Sequence, residues 1–186
     1  LKRDQVSEYL KNLEQNERKI LRELGVKFGR YHVFLYQLIK PEAVSLRTLL
    51  WKNFHQKLHS LKPPTFGLNF LDDKKIKNKN FMLLCGFEKF DNFYVRIDIL
   101  ERLFVLIINS TSKENTEIKL IPEMLNLLGC SKNNFKELLI KMNYKIFEKN
   151  NETFFKYSPV KKFKKIDTKK SSSENPFKIL KNLNLS

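Results

Sequence analysis

The chain has 186 residues, a formal net charge of +16, 41% hydrophobic and 12% aromatic residues. That apolar content excludes a wholly disordered chain, and the length allows one or two domains with a core. No run reaches the roughly 18 apolar residues of a membrane-spanning helix, and two cysteines cannot build a disulfide framework.

Lys, Asn, Ile and Phe are abundant, while Ala43 is the one alanine. Part of the basicity therefore reflects an AT-rich coding bias. Its distribution is more informative. Residues 1–62 carry 13 basic and 6 acidic side chains, and residues 156–186 carry 9 and 2. Residues 63–110 and 111–155 are each nearly balanced, with 7 and 6. The surplus sits at the two ends. Leu1 in place of Met, with no signal-peptide pattern, is expected of a piece of a longer chain. Thiol cysteines and the lack of a spanning segment predict a cytoplasmic location.

Val6, Leu10, Leu13, Ile20, Leu21 and Leu24 keep helical spacing, and Gly25 suits the helix end. Val26–Leu35 is rich in β-branched and aromatic residues, with a bend expected at Gly29. Pro41 opens a second helix. Its Val44, Leu46, Leu49, Leu50, Trp51, Phe54 and Leu58 predict a broad buried face. The two helices are expected to pack as a pair. Pro63-Pro64 begins a linker over 63–80.

A short helix ending at Gly86 precedes strands around Phe87–Phe90 and Phe93–Val95, with a turn at Asp91-Asn92. Arg96–Asn109 shows the clearest helical stripe, and Asp98 is expected to pair with Arg102. A polar loop covers 110–119. Ile121–Leu128 and Phe135–Met142 are helices, the latter capped by Ser131. Tyr144–Phe147 and Thr153–Tyr157 are strands joined by 148–152. Helix, helix, turn, helix and hairpin is the order of a winged helix-turn-helix. The stretch after Gly86 echoes the stretch after Asn143, which helix-end chemistry alone would explain. From 159 onward a basic tail is expected to be flexible, with Asn175-Pro176-Phe177 in a short apolar patch.

The predicted fold class is thus mainly α (α+β). Residues 1–62 form a helical segment, 63–80 a linker, 81–158 a winged-helix-like unit with small hairpins, and 159–186 a tail.

No phosphate-loop motif, H-E-x-x-H or C-x-x-C occurs. A zinc site from His55, His59, Cys85 and Cys130 lacks the usual paired spacing. Asp98 and Glu101 read as helix-turn acids rather than a catalytic pair. Lys27, Arg30 and Lys40 interleave with Phe28, Tyr31 and Phe34, a pattern that suits phosphate pairing and base stacking on a single strand. The third helix of the winged unit offers Lys132, Asn133, Asn134, Lys136 and Lys141, and its hairpin offers Lys145 and Lys149. The nearly neutral charge there favours a packing or protein-interaction module, or at most a weak nucleic-acid contact. The residues expected to contact a nucleic-acid backbone are Lys27, Arg30, Lys40, Lys136, Lys145 and Lys149.

Residues Leu24–Leu35 (LGVKFGRYHVFL), continuing to Leu38-Ile39-Lys40-Pro41 and Leu46-Arg47-x-Leu49-Leu50-Trp51, resemble the C-terminal region of alphaproteobacterial superfamily-2 ATP-dependent helicases, relatives of the mitochondrial RNA-degradosome helicase. Val95–Leu103, Met124–Ser131 and Asn175-Pro176-Phe177 are similar to the same region. Lys27 stands where that pattern has Arg, and Tyr36 where it has Pro. The resemblance implies a non-catalytic accessory region that guides RNA or DNA, single-stranded, and braces its own helicase motor domains. Those domains, with ATP and Mg, would lie upstream. No catalytic residue, metal or cofactor is implied within this chain, and no membrane partner.

Overall fold

A computed structural model describes residues 1–55, 60–72, 78–111 and 116–159. It is a mixed α+β structure with small antiparallel sheets. Residues 160–186 of the predicted tail, His59 and Leu58 lie outside the described residues.

The N-terminal stripe does not form one helix. A 3-10 turn at Arg3–Val6 leads into α1 (Ser7–Asn12), and α2 (Gln15–Glu23) follows after a break at Leu13-Glu14. The Glu14 N–H donates to the Glu17 carboxylate at 2.8 Å, so the second helix begins with its own cap. Gly25, at φ +91°, closes α2 and turns the chain into β1 (Val26–Phe28), which pairs with β2 (Val33–Leu35). The bend expected at Gly29 is therefore the loop of a hairpin. On the other edge of β2, the Leu1 and Val33 main chains exchange two hydrogen bonds of 3.0 Å, and Lys2 bridges His32.

Pro41 opens α3 (Pro41–Phe54) as predicted. Its packing differs from expectation. Helix α3 lies against α4 (Lys79–Leu84) and the 3-10 turn Tyr36–Ile39, not against α2. Val44 and Trp51 face the second core cluster, with Phe81, Met82, Cys85, Phe87 and Tyr94. Leu46, Leu49, Leu50 and Phe54 are exposed, Phe54 at 83%. Spacing gives the face of a helix but not whether a neighbour is there to cover it.

Residues 70–72 fall inside the stretch read as a linker, yet form strand β3 (Phe70–Asp72). It pairs with β5 (Phe93–Arg96), which also pairs with β4 (Phe87–Lys89). Strand β5 then runs directly into α5 (Ile97–Asn109). After that helix come β6 (Ile118–Lys119), α6 (Pro122–Leu128), α7 (Lys132–Lys141), β7 (Tyr144–Lys149) and β8 (Glu152–Tyr157). The Ser131 hydroxyl accepts the Asn134 N–H at 3.2 Å, as its predicted cap role requires. The 148–152 connection is tighter than expected. Only Asn150 and Asn151 separate the strands, at φ +51° and +61°, the left-handed pair of a two-residue hairpin turn.

The same order thus recurs three times: a strand, one or two helices, and a hairpin entered through a left-handed residue. Those residues are Gly25, Gly86 and Asn143. In every case the first strand pairs with the last, so the sheet orders are β3-β5-β4 and β6-β8-β7, with Leu1-Lys2, β2 and β1 arranged likewise. The echo noticed after Gly86 and Asn143 extends to whole units, beyond what helix-end chemistry would produce. The second and third units are each preceded by a long helix, α3 and α5.

The main core lies between α5 and the third unit, with Phe93 and Val95 of β5 packed into it. Leu100, Leu103, Met124, Leu128, Phe135, Leu138, Leu139 and Phe155 are each 0–1% exposed. Burial of each such side chain contributes about 1.5–3 kcal/mol. The first unit has no comparable core: among the described residues before Pro41, only His32 is buried.

Candidate nucleic-acid interface

The first unit is fastened to the rest through charge. Glu101, on α5, is 8% exposed and accepts the backbone N–H groups of Arg30, Tyr31 and His32 at 2.5, 2.8 and 2.7 Å. The His32 ring sits between two carboxylates, with Nδ1 3.3 Å from Glu101 and Nε2 3.3 Å from Glu88. Lys2 completes the chain with a 2.6 Å contact to the other Glu88 oxygen. Burial opposes the imidazolium, but hydrogen bonds to Glu101 and Glu88 outweigh it and hold the His32 pKa above its ordinary value. Burial likewise opposes Glu88 ionisation, and His32 and Lys2 reverse that, holding its pKa below the usual carboxylate range. Glycine is required at position 29 because a Cβ there would lie 2.3 Å from the Glu101 carboxyl carbon. A helix-turn acid in the sequence reading is thus the anchor of the first unit.

This anchorage leaves two clefts along the outer side of α5. One, of about 530 Å³, is lined by Lys27, Phe34, Tyr36 and Arg102 among others. Lys27 stands opposite Phe34 in the hairpin, so cation and ring share a face. The acids beside this cleft are already engaged. Asp98 is held by a bidentate pair with Arg96, at 2.7 and 2.9 Å, rather than by Arg102 as expected. Residue 96 lies outside the helix and aims its fork directly at the first-turn carboxylate, which leaves the exposed Arg102 available.

The second cleft, of about 350 Å³, is lined by Arg30, Tyr31, Phe104, Tyr144, Lys156 and Tyr157 together with aliphatic side chains. The Arg30 guanidinium lies 5.8 Å over the Phe104 ring, and Tyr31 meets that ring edge-on. Burial raises the pKa values of Tyr31 and Tyr144, so both remain neutral phenols. Lys145 stands directly opposite Lys156 on the adjacent hairpin. Like charges facing each other across strands repel, and an anion laid over them relieves the repulsion.

The six predicted contact residues are therefore not one surface. Lys27, Arg30 and Lys145 are exposed and form no ion pair among the described residues; Lys27 and Arg30 line the clefts beside α5, and Lys145 lies outside both, opposite the cleft residue Lys156. Lys40 is apart, at the start of α3. Lys136 pairs with Glu148 at 2.9 Å, and Lys149 with Glu117 at 2.6 Å. On α7, Lys141 pairs with Asp91 of the second unit, and Ile140 is exposed between these charges. Sequence reasoning missed Arg102, Lys156, Tyr36, Tyr144 and Tyr157. Their only signal was a basic or aromatic residue type, without the proximity that the fold supplies.

Comparison with protein-family models, curated proteins and solved structures gives no match. The interface thus rests on geometry alone. Among the described residues, no group of three or more His, Cys, Asp or Glu is placed to hold a metal ion, and no helix is long and apolar enough to cross a membrane. The His55 ring lies 4.4 Å from the Trp51 ring, tilted by 47°. Burial pushes the Cys85 and Cys130 thiols up to about 11, which keeps both protonated at neutral pH.

Proposed function

We propose that this chain is a non-catalytic accessory module that grips a single nucleic-acid strand along α5, built from winged-helix-like units. The observation that carries the reading is the pair of clefts flanking α5. Lys27 and Arg102 with Phe34 and Tyr36 lie in one, and Arg30 and Lys156 with three tyrosines in the other. Cations for phosphates beside rings for bases are what a single strand needs. The recurring strand order supports the winged-helix description, with the first strand against the last in each sheet. Ion pairing of Lys136 and Lys141 weighs against insertion of α7 into a groove as a base reader.

The wider reading is the C-terminal region of an ATP-dependent RNA or DNA helicase. The exposed strip Leu46, Leu49, Leu50 and Phe54 on α3 supports docking onto motor domains, because so large an apolar strip favours a covering partner. ATP and Mg belong to those domains in this reading.

The test is a salt series. Binding of a short single-stranded RNA and its DNA equivalent is measured for the whole chain, for a chain ending at residue 159, and for Lys27→Glu/Arg30→Glu/Lys145→Glu. A backbone grip gives a linear fall of log affinity with log salt, and the triple variant lowers the slope by about 0.7 per lost phosphate contact. Binding that disappears with residues 160–186 and ignores the triple variant would sink the α5 grip.

A further inference from the structure

A hollow of about 350 Å³ lies where α1 and α2 meet the first hairpin, lined by Arg3, Ser7, Lys11, Arg18, Arg22 and Phe28 with one leucine. Four cationic side chains border it and no acid does. None of the four makes an ion pair among the described residues, so their charges are uncompensated in the free chain. Three are arginines, whose planar forks match the geometry of an oxyanion.

Each guanidinium is also fixed by a local contact. Arg18 donates from Nη2 to the Leu10 carbonyl. Arg3 donates from Nη1 to the Gly29 carbonyl at 2.5 Å. Arg22 lies 5.6 Å over the Phe28 ring. Arg18 Nε is itself buried and has no hydrogen-bond partner among the described residues, so Nη1 and Nη2 are the atoms of this guanidinium left to meet a ligand. Ser7 adds a hydroxyl, although that hydroxyl is held by the Asp4 carbonyl at 3.0 Å.

We infer that this hollow is a phosphate-binding site, in which the Arg3, Lys11, Arg18 and Arg22 cations receive the oxygens of a phosphate group. Two sources share that chemistry: a small phosphate compound and the phosphodiester of a strand that continues beyond the α5 clefts. The site extends the proposed strand grip in the second case only, and stands without it in the first.

The test uses the whole chain and inorganic phosphate as probe, with the Arg Nε–H resonances followed by NMR and chloride at equal ionic strength as control. The expected result is a saturable shift of the Arg18 Nε–H that chloride does not reproduce. Arg22→Gln, on an exposed residue that need not disturb folding, should weaken the phosphate affinity about tenfold, the worth of one charge-assisted hydrogen bond. Arg18→Lys keeps the charge but removes the planar guanidinium fork, and should weaken it at least as much. A linear, unsaturated response shared with chloride overturns the site, as does full affinity in both variants.

A competition arm separates the sources. If a single-stranded oligonucleotide displaces phosphate, and Arg22→Gln weakens the oligonucleotide too, the site takes backbone phosphates. If phosphate binds and the oligonucleotide leaves it in place, the site serves a small phosphate compound. Oligonucleotide binding sensitive to Lys27→Glu/Arg30→Glu/Lys145→Glu, with no phosphate saturation, refutes this site and leaves the α5 grip intact.

Discussion

Replacing Glu101 by Ala should release the first unit while leaving the third unit folded. The carboxylate receives three main-chain N–H donors, from Arg30, Tyr31 and His32, as well as the His32 ring. Each charge-assisted bond is worth about 1.5–3 kcal/mol, and the removal of one partner from a buried polar cluster typically costs about 3–5 kcal/mol in all. No apolar core in the first unit offsets such a loss, because His32 is the one buried described residue before Pro41. The opening should therefore be local. Native-state hydrogen exchange is the suitable assay: the amides of residues 30–32 should lose about 3 kcal/mol of protection, while those of α7 keep theirs. Gly29→Ala should reproduce the effect, because its Cβ would meet the same carboxyl at 2.3–2.7 Å. Combined, the two substitutions should fall well short of additive, since both break one contact. A loss below about 0.5 kcal/mol in Glu101→Ala, the level of an ordinary surface change, would refute the anchoring role.

The same cluster sets a pH dependence. The His32 pKa is raised on folding, so its contribution is fully present below the unfolded value near 6.5 and fades as pH rises through the folded value. The Glu88 pKa is lowered, so its contribution is present above about 4.5 and fades as pH falls through the folded value. Exchange protection of the first hairpin should peak between these limits, and His32→Gln should flatten its alkaline limb. In the third unit, Asn151→Val should cost about 1–2 kcal/mol, because a β-branched residue is forced to φ +61°, whereas Asn151→Gly should be close to neutral; urea denaturation checks both. Phe135→Ala, at a position with 0% exposure, should cost about 3–5 kcal/mol by the same measurement, with a global rather than local loss.

Local chemistry was readable in the sequence. Pro41 and Pro122 start helices, Gly25 and Gly86 end them, and Ser131 caps α7, because each acts through its own backbone and immediate neighbours. Strands β3 and β6 escaped notice because two or three residues are too short to show a period of two. The exposed side of α3 was misread because periodicity reports amphipathic character and not a partner. Arg18 and Arg22 were passed over as the polar positions beside an apolar stripe. Glu101 was invisible as an anchor because its partners lie 69–71 positions away, and nothing local to Val95–Leu103 marks that distance.

That separation bears on the order in which the molecule takes shape. During synthesis the first hairpin leaves the ribosome well before α5 exists. Its loop donors then have only water to satisfy them. The closure of so long a loop for one polar contact is slow and entropically costly, and depends on α5 already being helical. The third unit, rich in near-neighbour apolar contacts, can settle without waiting. The first hairpin, made before α5, is thus among the last parts fixed, and through that interval the cationic surface of residues 1–30 is held open to any anion that reaches it.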